Sequence, residues 1–405
     1  MEDNRTILLA DMNAFYASVE QTLHPQYQGK PLIVCGDPQK RRGIVLAASY
    51  EAKHYGVKTA MPVHEAKSLC PTAQLVPPHM GTYIQVSTRI IQLLQQFSPS
   101  VEPFSIDEAF LELTGSEKLL GKKEHVAHQI KQRIRTELGV SCSIGIGPNK
   151  LLAKMAAEME KPDGLTSITA NQVPRKIWPL PINKLFGVGS RMNFHFNKMG
   201  IRTIGDLAHT DPTRLEHRFG IIGRVLYQSA HGMDQSPVDP HSLDINHSIG
   251  HQFTLPYDYI EAKDILLVLY ELAENVARRA RLAASLGRTI TLALRGNDFS
   301  IHRSLSLDEA TQIGRMIYQA IEILFQRHWN HRPVRQIGIT LSNLQREENG
   351  VQLDLFGNNE KYKKLTTAID SIQQRYGVKS MCYAHSLLEA SLFKDHTTKI
   401  GGHHI

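Results

Sequence analysis

Residues 105–110, SIDEAF, set Asp107 and Glu108 side by side in an otherwise apolar run, VEPFSIDEAFLELTG. Adjacent carboxylates repel each other and are costly to bury unpaired. Two arrangements accommodate them: a tight turn between short strands that points both acids at water, or a cation held between them. A third acid, Asp11, ends the apolar stretch ILLA and is followed at once by a helix-like segment, so its side chain can project from a sheet edge. If ILLA lies beside the SIDEAF hairpin, Asp11, Asp107 and Glu108 converge. Such a cluster is unfavourable without divalent cations. With two Mg²⁺ ions it is suited to in-line phosphoryl transfer, one metal activating the attacking oxygen and both steadying the leaving phosphates. Oxygen-only ligands, with no Cys or His nearby, favour Mg²⁺ over Zn²⁺.

The elements that must position these acids are readable in outline. PLIVCG and GIVLAASYEAK read as strands, the second passing into a helix. GTYIQVSTRIIQLLQQF reads as an amphipathic helix with Ile84, Ile91, Leu94 and Phe97 at helical spacing. After the hairpin come a helix from His125 to Leu138, the strand SCSIGIG and the helix NKLLAKMAAEMEK. This order suggests an α+β sheet covered on one face. Ile177 to about Pro237 is helical in texture, and HGMDQSPVDPHSLD reads as a linker. Beyond it, HSIGHQFTL, RTITLAL and VRQIGITLSNL alternate with helices DYIEAKDILLVLYELAENVARRARLAA and DEATQIGRMIYQAIEILFQRHW. Two helices on a four-stranded sheet are expected there. The last sixty or so residues are more polar.

The chain has 405 residues, 41% hydrophobic and 21% charged, enough for two to four ordinary domains. No apolar run approaches a membrane span and the start lacks the features of a signal peptide, so a cytoplasmic protein without membrane contact is expected. Cys35, Cys70, Cys142 and Cys382 are scattered, which fits reduced, buried thiols and argues against a zinc site. The histidines form no HExxH pattern. A formal net charge of +7 suggests a polyanionic partner.

Four blocks then carry a resemblance: DMNAFYASVE at 11–20, ASYEAKHYGVKTAMPVHEAKSLCP at 48–71, SIDEAFLELTG at 105–115 and SIGIGPNKLLAKMAAEMEKPDGL at 143–165. In order and spacing they resemble the Y-family (translesion) DNA polymerases of the bacterial UmuC/DinB type, and are closest to the UmuC-like branch. The resemblance implies that Asp11, Asp107 and Glu108, with the Met12 carbonyl, bind two Mg²⁺, and that Glu108 is the acid on which catalysis depends most directly. Asn13 stands where many relatives have Asp. Tyr16 would be the steric gate under the incoming sugar, with Phe15 beside the nucleotide. Tyr50, Lys53 and Lys161 would reach the triphosphate; Lys53 stands where relatives commonly have Arg and lacks its bidentate fork.

FGVG at 186–189 resembles the hairpin of a helix-hairpin-helix, in which Gly187 and Gly189 let backbone amides approach DNA phosphates. Arg278, Arg279, Arg281, Arg288, Arg295 and Arg303 face only Asp298 across residues 278–303. They fit either a solvated face or the template–primer grip of a little finger. QLDLF at 352–356 resembles the sliding-clamp-binding pentapeptide: Leu353, Leu355 and Phe356 would fill an apolar groove, with Gln352 and Asp354 completing the motif.

The implied fold is an α+β right-hand polymerase. Its palm spans 1–13 and 81–175, the fingers 14–80, a helical thumb 176–237 and a linker 238–247. A separate α+β little finger covers 248–347 and a tail with the clamp motif 348–405. The implied function is template-directed, low-fidelity translesion synthesis without proofreading, on primer–template DNA and dNTPs, by a monomer. A non-catalytic clamp- and DNA-binding protein on a polymerase scaffold is the alternative, and a nucleotide cyclase on a related palm is a remote third.

Overall fold

A computed structural model describes residues 5–36, 43–244, 246–346, 358–393, 399–400 and 403–404. The chain divides into two units, the first formed by Met1–Gly36 and Ile44–Asp244 and the second by Asp37–Gly43 and Ile245–Ile405. The first opens with β1 (Ile7–Met12), α1 (Phe15–Leu23), β2 (Leu32–Cys35), β3 (Val45–Ala48) and α2 (Tyr50–His54). It continues through α3 (Val63–Leu69), β4 (Gln74–Val76), α4 (Met80–Leu94), β5 (Val101–Pro103) and β6 (Glu108–Glu112). Next come α5 (Glu117–Leu120), α6 (Lys123–Leu138), β7 (Cys142–Gly147), α7 (Lys150–Met159) and β8 (Leu165–Ser167). A run of short helices closes the unit: α8 (Val173–Lys176), α9 (Ser190–Lys198), α10 (Ile204–Ala208), α11 (Pro212–Phe219) and α12 (Ile221–Ala230).

The main sheet has the order β5-β6-β1-β7-β8, with β1 central and buried along its whole length. Both faces of β1 are apolar, as a strand covered on two sides requires. Leu8, Ala10 and Met12 face a core shared with α4 and α6, whereas Ile7 and Leu9 pack on Ala153 and Ala157 of α7. The sheet is therefore covered on both faces here, not on one. The cause lies in SIGIG: a Cβ on Gly145 would lie 2.0 Å from the Ala153 carbonyl oxygen, and one on Gly147 would lie 2.6 Å from the Ala153 nitrogen. Bare backbone on β7 lets α7 settle directly onto the strands.

The buried side of α4 also differs from expectation. Met80, Tyr83, Ile90, Leu93 and Leu94 face the core, while Ile84 is 41% exposed. The stretch read as a linker is partly tied down: Val238 packs with Ile7 and Leu9, and the Asp239 amide donates to Glu102 Oε2 at 2.8 Å. Cys35, Cys70 and Cys142 are buried free thiols, but Cys382 is exposed.

The second unit contains β9 (Ser248–Tyr259), α13 (Ala262–Leu282), β10 (Ser285–Arg295), β11 (Ser300–Thr311), α14 (Gly314–His328), β12 (Val334–Arg346) and α15 (Asn358–Tyr376). Its antiparallel sheet, ordered β11-β10-β12-β9, packs Ile290, Leu292, Ile337 and Ile339 against α13 and α14. Residues 308–311, read as the start of a helix, belong to β11, because its hairpin with β10 continues until Thr311 pairs with Gly287. Arg281 is not free for DNA: its Nε and Nη2 donate to Asp370 of α15 at 2.5 and 3.0 Å, and Arg278 adds a contact at 3.9 Å. No helix among the described residues is long and apolar enough to cross a membrane.

Candidate active site

Antiparallel pairing places Asp11 of β1 directly across from Glu108 of β6, so the two carboxylates share a sheet face. That face is the one α7 covers. From it Glu158 brings a third carboxylate, and oxygens of Asp11, Glu108 and Glu158 all lie within 4.8 Å of one another. Asp107 is placed differently. Its main-chain oxygen accepts from the Met12 amide at 2.9 Å, while its half-buried carboxylate accepts from Ser105 Oγ at 2.5 Å, outside the trio. Met12 itself is buried.

Two lysines neutralise the trio. Lys161 Nζ lies 2.7 Å from Asp11 Oδ2 and 2.8 Å from Glu158 Oε1. Lys154 Nζ donates to Glu108 and stands 3.5 Å from both Asp11 and Glu158. Burial, then the hydrogen bond and charge of Asp11, push the Glu108 carboxyl up to about 7 despite Lys154. Burial would raise Asp11 as well, but its hydrogen bond with Glu108 and the charges of Lys161 and Lys154 outweigh this and hold it low. Of the two, Glu108 is therefore the harder to ionise and Asp11 the easier. Carboxylate oxygens crowded this closely suit a hard divalent cation.

The turn after α7 is fastened to β1 by Asn13. Its Oδ1 accepts from the Asp163 amide at 2.9 Å and its Nδ2 donates to Ser143 Oγ at 3.0 Å, so Asn13 braces Lys161 and does not join the acids. Tyr50 opens α2, where Ser49 caps the first turn, and Lys53 Nζ lies 4.4 Å from the Tyr50 ring centroid. Burial, then the nearby charge of Lys161, lower the Lys53 ammonium below the usual lysine range. Lys53 and Lys161 thus approach each other beside Asp11, an arrangement that a polyphosphate would relieve.

Tyr16, partly exposed on the first turn of α1, stacks on Tyr83 of α4 with ring centroids 4.4 Å apart. Tyr83 Oη donates to the fully buried Glu20 at 2.6 Å, and His79 Nδ1 lies 2.8 Å from the same carboxylate oxygen. Phe15 is only 3% exposed and packs at an angle to both tyrosines. Gly187 has φ +93°, a left-handed value suited to glycine, and Gly189 caps α9. Gln352, Leu353, Asp354, Leu355 and Phe356 lie outside the described residues.

Comparison with known proteins decides the family. Residues 10–158 match the impB/mucB/samB family, residues 246–355 its C-terminal domain, and residues 183–234 the DNA polymerase-iota thumb domain. A protein of Moorella thermoacetica called DNA polymerase IV is 50% identical over 390 residues, covering 96% of this chain and 97% of its own. DNA polymerase IV 2 of Bacillus subtilis is 42% identical across 100% of both chains. The solved structure of a Y-family DNA polymerase chimera superposes with a TM-score of 0.74 at 30% identity, over 84% of this chain and 99% of that one. The chain belongs to the Y family of DNA polymerases. It is a DNA-directed DNA polymerase of the translesion type, with the palm, helix-hairpin-helix thumb and little finger of that fold.

Reading the sequence of this polymerase missed Lys154, Glu158, Tyr83 and Glu20. Lys154 and Glu158 sit four apart on one helix, a spacing that reads as a solvent-exposed ion pair. Only the close seating of α7 turns them toward the acids. Tyr83 and Glu20 lie 63 positions apart and meet through tertiary packing alone.

Proposed function

We propose that this Y-family polymerase adds dNTPs to a primer 3′-hydroxyl opposite damaged template bases, without proofreading, using two Mg²⁺ held by Asp11, the Met12 carbonyl, Asp107 and Glu108. The observation that carries the reading is the Asp11–Glu108 pair, set face to face by strand register and crowded by Glu158. When bound, the metals would supply charge for the attacking and leaving oxygens of an in-line displacement. The chain's own residues would do the rest. Lys161, Lys53 and Tyr50 would orient the triphosphate, Tyr16 would exclude a 2′-hydroxyl, and Phe15 would support that corner from the core. The amides around Gly187 and Gly189 would grip backbone phosphate without reading sequence.

The same proposal includes the division into palm (1–13 and 81–175), fingers (14–80), thumb (176–237), linker (238–247), little finger (248–347) and tail (348–405). It also includes a monomeric state, a cytoplasmic location and attachment to the bacterial sliding clamp through QLDLF. Primer extension with Mg²⁺ and four dNTPs tests the core of it. Asp107→Ala and Glu108→Ala should each abolish extension while primer–template binding persists. Substantial extension by both variants would defeat the two-metal assignment, whereas an inactive wild type that still binds primer–template would favour the non-catalytic reading.

A further inference from the structure

Among the residues around the acids, Lys154 is the one whose ammonium touches the whole trio. Its Nζ donates to Glu108 and lies 3.5 Å from Asp11 Oδ2 and 3.5 Å from Glu158 Oε1. Lys161 by contrast bonds Asp11 and Glu158, and its hydrogen bonds do not include Glu108. The donors that surround the Lys154 ammonium are therefore the carboxylates whose oxygens gather within 4.8 Å, those chemically suited to a divalent cation. Two cations cannot share that position. We propose that Lys154 is the resident counter-cation of the metal site, holding Asp11 and Glu108 together before metal arrives and yielding its place when metal loads. The proposal rests on the acid-site reading above.

The fold supplies both the fixed point and the freedom such a role needs. Close contact of Ala153 with Gly145 and Gly147 pins the helix backbone next to Lys154. The four-carbon stem can still swing its head. Lys154 also lines a cleft of about 550 Å³, bordered by Phe104, Phe110, Lys150, Phe186 and Gly187. A displaced ammonium thus has an open, partly polar space to enter without any movement of α7. The carboxylates are never left bare, because one cation replaces another.

A competitor for the acids must weaken metal binding, and this gives the test a direction that a merely structural lysine would not have. Mn²⁺ binding is measured by electron paramagnetic resonance on the full chain without DNA or nucleotide, for wild type, Lys154→Met, Lys154→Arg and Glu108→Gln. Lys154→Met should bind Mn²⁺ about tenfold more tightly, the lower end of what close charge pairs contribute. It should also melt at a lower temperature without metal and gain more on adding Mn²⁺. Lys154→Arg should stay near wild type. Should the Met variant fail to fold, Lys154→Gln replaces it. Equal or weaker binding by the folded neutral variant, while Glu108→Gln loses affinity, overturns the proposal alone. Wild-type affinity in Glu108→Gln overturns the acid-site reading, and the proposal with it.

Discussion

Tyr16 and Tyr83 lie ring on ring, centroids 4.4 Å apart and planes 12° from parallel. Tyr83 is fully buried and its hydroxyl is tied to Glu20, which His79 also contacts. A gate residue works only if its ring cannot retreat, and this stack removes the space behind Tyr16. Tyr16→Ala should therefore raise ribonucleotide incorporation by about tenfold or more relative to dNTP use. Tyr83→Leu, which keeps bulk but loses the flat support and the Glu20 bond, should give a smaller loss of sugar discrimination. Single-nucleotide insertion with paired dNTP and rNTP checks both. Unchanged discrimination in Tyr16→Ala would make Tyr16 an ordinary core aromatic.

The Asp11–Glu108 pair predicts a proton-linked metal equilibrium. Glu108, pushed up to about 7 mainly by burial and then by Asp11, keeps its proton at pH 6, whereas an unfolded glutamate does not. Divalent metal requires the ionised form, so Mg²⁺ affinity should climb as pH rises from 6 to 8, with proton release at the lower end. Calorimetry in two buffers of different ionisation heat measures that release. The sign for stability is opposite to that of a salt-bridged acid. Between pH 4.5 and about 7 the folded metal-free protein binds the extra proton, so this group's contribution falls as pH rises through that window. Glu108→Gln should flatten both trends.

Gly145 predicts a coupling between packing and catalysis. A Cβ there would meet the Ala153 carbonyl at 2.0 Å and the Ala157 nitrogen at 2.3 Å, both backbone atoms that no rotamer change can move. Gly145→Ala should destabilise the protein by on the order of 3 kcal/mol. Any folded fraction should be poorly active, because lifting α7 off the sheet carries Lys154 and Glu158 away from Asp11. Chemical denaturation and extension assays on the same preparation check the pair of effects.

How much of this was legible beforehand follows from what each residue's neighbours reveal. Asp11 and Glu108 were readable because an apolar strand gains nothing in packing from an acid at its end, so a charge placed there points to chemistry. Their opposition across β1 and β6 required only that ILLA pair with the hairpin, and the register obliges. The cover on the second sheet face was hidden in SIGIG, where glycines show that something approaches but not what. The arginines of α13 read as a solvated or DNA-facing stripe, yet Arg281 belongs to Asp370, a partner 89 positions away. The start of α14 was misplaced because DEAT suits a helix locally, whereas the hairpin ladder with β10 holds it as strand. Local pattern identifies surfaces to be covered; it does not identify the segment that covers them.

QLDLF predicts whether this polymerase works alone or tethered. Its grip on DNA, through hairpin amides and basic side chains, would be made largely of salt-sensitive phosphate contacts, so the unaided enzyme should leave the primer quickly. Attachment to a ring around DNA would raise its effective concentration at the primer end without any new contact to the template. Leu353, Leu355 and Phe356 would provide most of that attachment as apolar anchors in one groove. The pentapeptide falls between β12, which ends at Arg346, and α15, which begins at Asn358 and is fastened through Asp370 to Arg281 of α13. Replacing Leu355 and Phe356 by Ala should leave clamp-free extension nearly intact and remove clamp-stimulated processivity, read as product length under single-encounter conditions. Preserved stimulation with collapsed basal activity would instead make the pentapeptide a structural part of the body.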